Sequence, residues 1–141
     1  MTPIRFTVYG DALAKGSMRA FTPKGWTRPV ITSATKGLKA WESKIAAAAQ
    51  LQASGVLLTG PVALLVTFYL ARPKAIRDKV VPHTKRPDLD KLIRGATDAL
   101  TGTIWKDDAQ VSSILAEKYY VATQYEAPRA VFVITPIEAT S

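Results

Sequence analysis

Residues 62–70, VALLVTFYL, run for nine positions without a charged side chain. Gly60-Pro61 precedes the run and Arg72-Pro73 follows it. Nine residues fall well short of the roughly 20 that a helix needs to cross a bilayer. A continuous apolar run of this length between turn residues instead predicts a strand buried on both faces or nearly so. The remaining segments must therefore fold around such a strand.

Residues 3–9, PIRFTVY, alternate and predict a strand. Residues 35–53 predict a helix. Leu38, Trp41, Ile45, Ala49 and Gln52 trace one face, apolar until its last position, with Ser33 or Thr35 placed to cap the start and Gly55 to end it. A second helix is predicted from about Lys91 to Leu100, with Leu89, Leu92, Ile93, Ala96 and Leu100 as its core face. Gly102 breaks it, and Ile104-Trp105 is expected to plug the core as the chain reverses. Residues 109–121 and 129–137 predict two more strands; alternation at Val131, Val133 and Thr135 gives the last an edge or half-buried place. Residues 11–30 are rich in Gly, Pro, Lys and Arg, with Phe21 and Trp26 interspersed. They read either as a mobile basic arm or as a hairpin with its aromatics packed inward. Residues 71–86 read as a loop, and its lone His83 more readily as a solvated loop residue than as a ligand or catalytic group. The last few residues read as untethered. The sum is one α/β domain over residues 1–141, with a mixed sheet of about four strands and two main helices. This pattern leaves the strand order open.

Composition excludes several chemistries. With no cysteine, neither a disulfide framework nor a thiolate metal site can exist. With a single histidine, a zinc site would have to lean on carboxylates. Arg5 and Asp11 interrupt any apolar core of a signal peptide, and the expectation is a soluble, cytoplasmic protein. A net charge of +8 points to a polyanionic partner. Residues 1–40 hold seven basic residues against Asp11 alone, and residues 72–94 hold eight against Asp78, Asp88 and Asp90. Two basic segments without an amphipathic basic helix suit DNA better than a membrane surface. Lys15, Arg19, Lys24, Arg28, Lys85 and Arg86 are the candidate phosphate contacts.

In so basic a chain, the acids of RPDLDKLIRGATDALTGTIWKDDAQ (residues 86–110) demand an account. Pro87 suits a helix start, and Asp88 or Asp90 could cap the helix and complement its dipole. Asp90, Arg94 and Asp98 lie four residues apart and could form surface salt bridges. Neither reading explains Asp107 and Asp108. Hard divalent cations such as Mg2+ prefer carboxylate oxygens and keep several waters. Asp88 and Asp90 share a face if the backbone there is extended. The seven steps from Thr101 to Asp108, at up to about 3.3 Å each, let the second pair return to the first, and a site shared between two chains is also possible. Asp98, about 12 Å along the helix from Asp90, is expected to be structural.

The run Pro87-Asp88-Leu89-Asp90-Lys91-Leu92, then Asp98-Ala99-Leu100, then Trp105-Lys106-Asp107-Asp108-Ala109-Gln110-Val111 resembles the RusA-type Holliday junction resolvases. The resemblance is close over about 25 residues and looser from the first strand to the tyrosines beside Lys118. It implies a small, dimeric, magnesium-dependent endonuclease, with Mn2+ as an alternative ion, that nicks branched DNA by paired symmetric cuts. Carried over by motif, the metal-binding acids fall on Asp88, Asp90 and Asp108, with Asp107 as the neighbouring acid. Lys91 stands where the family usually has asparagine, and Arg94 where it usually has a catalytic lysine. Arginine supplies positive charge to a phosphate but does not readily give up a proton. Lys91 is the other candidate for part of that role, though a helix turns it about 60° from Arg94. The expected mechanism is metal-assisted, in-line attack of water, with Arg94 and Lys91 neutralising the phosphate. The competing readings are a non-catalytic basic DNA-binding protein and a less selective nuclease of flaps or forks.

Overall fold

The computed structural model describes residues 2–138 apart from 17, 22–23, 26, 28–29, 34–35 and 75–80, with backbone alone for 18–21 and 30–33. The strands and main helices of the described residues follow in the order β1 (Ile4–Tyr9), β2 (Met18–Phe21), β3 (Val30–Ser33), α1 (Leu38–Gln52), β4 (Val62–Leu70), α2 (Leu89–Leu100), β5 (Val111–Tyr120) and β6 (Arg129–Pro136). The main sheet has the order β1-β6-β4-β5. β4 runs parallel to β5 and antiparallel to β6, which runs antiparallel to β1, so the sheet is mixed. Parallel neighbours need a crossover, and α2 supplies it between β4 and β5. β2 and β3 form a separate antiparallel hairpin. This is the hairpin alternative for the basic segment; Trp26 and the Phe21 side chain lie outside the described residues.

Both helices pack on one face of the sheet. Leu38, Trp41, Ile45 and Ala49 of α1, and Leu92, Ala96 and Leu100 of α2, join Phe6, Val66, Phe68, Phe132 and Ile134 in one core. The central strand differs from expectation here. Val62, Leu64, Val66, Phe68 and Leu70 are buried, but Leu65 on the other face is 38% exposed. The apolar run is longer than its cover, because the described helices lie on one side only. Of the two places expected for β6, the half-buried one holds and the edge does not: it sits between β1 and β4. Its buried side chains are Ala130, Phe132 and Ile134, while Val131 and Val133 are half-buried. Alternation reports which face a residue takes and says nothing of a strand's place in the sheet.

α1 begins at Leu38, after Gly37 in the left-handed region (φ 81°), with no side-chain cap hydrogen bond; the Ser33 side chain and Thr35 lie outside the described residues. α2 begins at Leu89, two residues earlier than expected, with Asp88 as its N-cap residue. Trp105 fills the core as expected, fully buried, its indole Nε1 donating to Thr101 Oγ1 at 3.0 Å. Gly102, at φ 84°, makes the turn, and its N–H donates to Trp105 O at 2.7 Å. None of the described helices is long and apolar enough to cross a membrane.

Candidate active site

The segment before α2 is laced to the C-terminal half of β5. His83 N donates to Lys118 O at 3.1 Å, and Tyr120 N donates to Val81 O at 3.0 Å. The Lys118 ammonium donates to Lys85 O at 2.6 Å and to Pro87 O at 2.7 Å. These contacts place Asp88 and Asp90 at the N-terminal end of α2, where helix amides and dipole favour negative charge. The Arg86–Pro87 peptide is cis, and Pro87 precedes the cap residue and does not form the first helical turn.

The structure divides Asp88, Asp90, Asp107 and Asp108. Asp88 has an extended backbone (φ −70°, ψ 138°) but its side chain accepts no capping hydrogen bond; its described partner is Lys91 Nζ at 3.6 Å. Asp90 lies inside the first helical turn, so the extended-backbone argument for pairing it with Asp88 fails, although both remain at one helix end. Among the described residues neither Asp90 nor Asp108 has a side-chain hydrogen-bond or ion-pair partner, and both are exposed. Asp107 does have a structural job: its carboxylate accepts from Ala109 N at 2.9 Å, and Gln110 Oε1 accepts from Asp107 N at 2.7 Å, a capping box on the short 3-10 turn Asp108–Gln110. The Gln110 side-chain amide also donates to Leu58 O and Gly60 O, pinning the start of β5 to the chain before β4.

The expected gathering of Asp108 with Asp88 and Asp90 does not occur within one chain. Among the described residues no three His, Cys, Asp or Glu side chains lie close enough to hold a metal ion. The topology explains why. α2 rises about 1.5 Å per residue, roughly 18 Å over its length, away from Asp88. β5 then starts at the far end and runs back, so Asp108 stands before Val111 while Asp88 sits beside Lys118, roughly 20 Å along the strand at about 3.3 Å per residue.

A groove of about 430 Å³, lined by Ala14, Gly16, Arg86, Pro87, Asp88 and Lys91, opens at the N-terminal end of α2. The hollow between Leu57–Val62 and Pro136–Glu138, about 390 Å³, contains none of the four aspartates. The segment holding Lys15 lies against α2: Leu13 O passes close to Gly95, and Lys15 N donates to Lys91 O at 3.0 Å. Lys15 Nζ lies 2.6 Å from Asp98 and 3.6 Å from Glu42. The Asp98 hydrogen bond holds that ammonium above the usual lysine range. Asp98 is thus structural, as expected, but its partner is Lys15 and not its helix neighbour Arg94. Arg94 is exposed, and its side chain has no partner among the described residues. Lys24, Lys85 and Arg86 are exposed; the Arg19 side chain and Arg28 lie outside the described residues.

Two residues of this region escape a sequence reading. His83 is buried, 9% exposed, with its ring 4.5 Å from that of Tyr120, and its Nδ1 has no hydrogen-bond partner among the described residues. It is no solvated loop residue. Burial pushes its imidazole below the usual histidine range, and the nearby Lys118 charge acts in the same direction. Lys118 itself carries one signal: a cation in a strand, in register with the fully buried Phe68. A charge on a core-facing position must find partners.

Residues 15–130 match a protein-family model described as endodeoxyribonuclease RusA. The chain is also 30% identical to an uncharacterized protein of Bacillus subtilis (strain 168), YqaN, with 99% of this chain and 100% of that one aligned.

Proposed function

We propose, for a chain that belongs to the endodeoxyribonuclease RusA family, a metal-dependent homodimer that resolves four-way DNA junctions by paired symmetric nicks. Membership carries the coarse statement: the protein is an endodeoxyribonuclease, a hydrolase of DNA phosphodiesters, of a family that acts on Holliday junctions. The observation that carries the finer reading is the separation of Asp108 from Asp88 and Asp90 by the length of β5.

β5 is the edge of the sheet. Its last residues are already paired with the Val81–His83 segment, while Ser112, Ser113, Ile114 and Leu115 are exposed. An exposed edge bearing apolar side chains is a template for another strand. Antiparallel pairing of residues 111–117 with their own copy, centred on Ile114, sets Asp108 of the partner subunit, in the turn before the partner's Val111, just beyond the level of Glu117. That brings it beside the segment leading to Asp88. Each of the two sites then draws two acids from one chain and one from the other, and the two-fold axis yields two equivalent cuts.

The donor set suits the ion. Mg2+ is ordinarily held by one or two carboxylates with waters and phosphate oxygens completing its shell. Asp88 and Asp90 offer two exposed carboxylates at a helix N-terminus, and Asp90 has no competing side-chain partner among the described residues. When bound, such an ion makes a neighbouring water more acidic and steadies charge on the leaving 3′ oxygen. The chain's own residues do the rest. Asp88 and Asp90, with Asp108 of the partner subunit, hold and orient the ion. Arg94, one helical turn from Asp90, offsets charge on the phosphate. Lys91 partly neutralises Asp88 at 3.6 Å. Lys85 and Arg86, with Lys24, Arg19 and Arg28, contact the DNA backbone, and Lys15 joins them with its charge already countered by Asp98.

A synthetic four-way junction and a linear duplex, each labelled and incubated with the protein in Mg2+, test this reading. The expected products are symmetric nicks across the junction, an intact duplex, and no cutting after chelation. A protein that binds the junction but never cuts it is a non-catalytic binder. Equal cutting of forks, flaps and junctions favours the less selective nuclease.

A further inference from the structure

We infer that Lys118 is a positioning residue: its ammonium, clamped on two main-chain carbonyls, fixes the metal-binding end of α2. The inference rests on the nuclease reading above. Lys118 points to the helix-covered side of the sheet, since it is in register with Phe68, which is fully buried. A lysine there must either leave the core or satisfy its charge. It does the latter by donating to Lys85 O at 2.6 Å and Pro87 O at 2.7 Å. Those two carbonyls precede the helix, so α2 gives them no donors. Lysine presents three N–H donors on a flexible stem, and two are committed here.

The same residue also holds the segment through its main chain. Lys118 O accepts from His83 N at 3.1 Å, and the neighbouring Tyr120 N donates to Val81 O at 3.0 Å. The His83 ring packs on Tyr120. The chain from Val81 to Pro87 is thereby fixed to β5 at four hydrogen bonds, and the next residue is Asp88. Asp88 has no side-chain capping bond that would orient it from within the helix. Its placement is inherited from the clamped Pro87 and from the first helical turn. β5 thus does two things at one end: it holds the segment bearing Asp88, and it presents the strand level at which Asp108 of the partner subunit arrives.

Lys118→Met keeps the aliphatic stem and removes the donors; Lys118→Arg keeps the charge and the donors. Manganese binding, followed by the loss of the free Mn2+ paramagnetic resonance signal, reads the site without turnover. Amide exchange at His83 and Tyr120 reads the clamp, and exchange at Phe132 and Ile134 reads the core. Outer residues that orient metal ligands typically contribute about 10- to 100-fold in metal affinity. Lys118→Met is expected to weaken Mn2+ binding by that factor, to expose the His83 and Tyr120 amides, and to leave the core amides protected. Lys118→Arg is expected to stay close to wild type. If Lys118→Met loses core protection, Lys118→Ala, which also lacks the donors, carries the same comparison. Unchanged Mn2+ binding in a folded Lys118→Met or Lys118→Ala protein overturns the inference, as does unchanged protection of both amides. Wild-type protein that binds no Mn2+ defeats the nuclease reading instead, a result separable from either of these.

Discussion

Asp90→Asn will fold, bind a four-way junction at least as tightly as the parent, and cut it at least about a thousandfold more slowly, a loss near 4 kcal/mol of transition-state stabilisation. The substitution removes one oxygen charge from the ion's shell, where several kcal/mol of charge stabilisation are at stake. Its structural effect is small by comparison. Asp90 is exposed, and its side chain has no hydrogen-bond or ion-pair partner among the described residues. What the helix loses is a favourable acid in its first turn, worth about 0.3–1 kcal/mol. Binding is maintained because the change deletes a negative charge that faces phosphates. Junction cleavage followed under single-turnover conditions, beside a mobility-shift titration, measures both effects. Parental cleavage by Asp90→Asn removes Asp90 from the site.

The edge strand gives the second large effect. Ile114 is 45% exposed although it lies in register with buried Leu64, because nothing among the described residues covers its outer side. In the pairing proposed, Ile114 meets its own copy at the two-fold axis, with Cβ atoms about 5 Å apart. Ile114→Glu therefore sets two carboxylates directly against each other, while in the single chain the new side chain has access to water. The variant is expected to run as a folded monomer of 15.3 kDa in light scattering and to lose both Mn2+ binding and junction cleavage. A dimeric Ile114→Glu protein would place the interface elsewhere, and a fully active monomer would remove the need for a partner.

Much of the fold is legible from local pattern. β4 is bounded to the residue, because Gly60-Pro61 and Arg72-Pro73 punctuate an apolar run. Leu38, Trp41, Ile45 and Ala49 are buried as the helical period requires. The site is less legible, because its assembly depends on information that spacing along the chain does not carry. The steps from Thr101 to Asp108 limit how far the chain can reach but give it no heading. The heading is set by sheet order, and β5 lying parallel to β4 starts Asp108 at the end away from Asp88. The capping box is readable, since Asp107 and Gln110 stand at the spacing such a box requires, yet two adjacent aspartates point to metal first. His83 and Lys118 are not readable in the same way. Their burial and bonding follow from a segment lying beside β5, a contact between positions far apart in the chain.

Mixing two inactive variants tests the shared site most directly. Asp90→Asn chains keep Asp108, and Asp108→Asn chains keep Asp88 and Asp90. If each site takes Asp108 from the partner subunit, a mixed dimer rebuilds one intact site and leaves the other doubly defective. Unfolding the two variants together and refolding them is then expected to restore single nicks in four-way junctions at about a quarter of the wild-type rate, since about half of the dimers are mixed and each has one working site. Refolded mixtures as inactive as either variant alone would contradict the account.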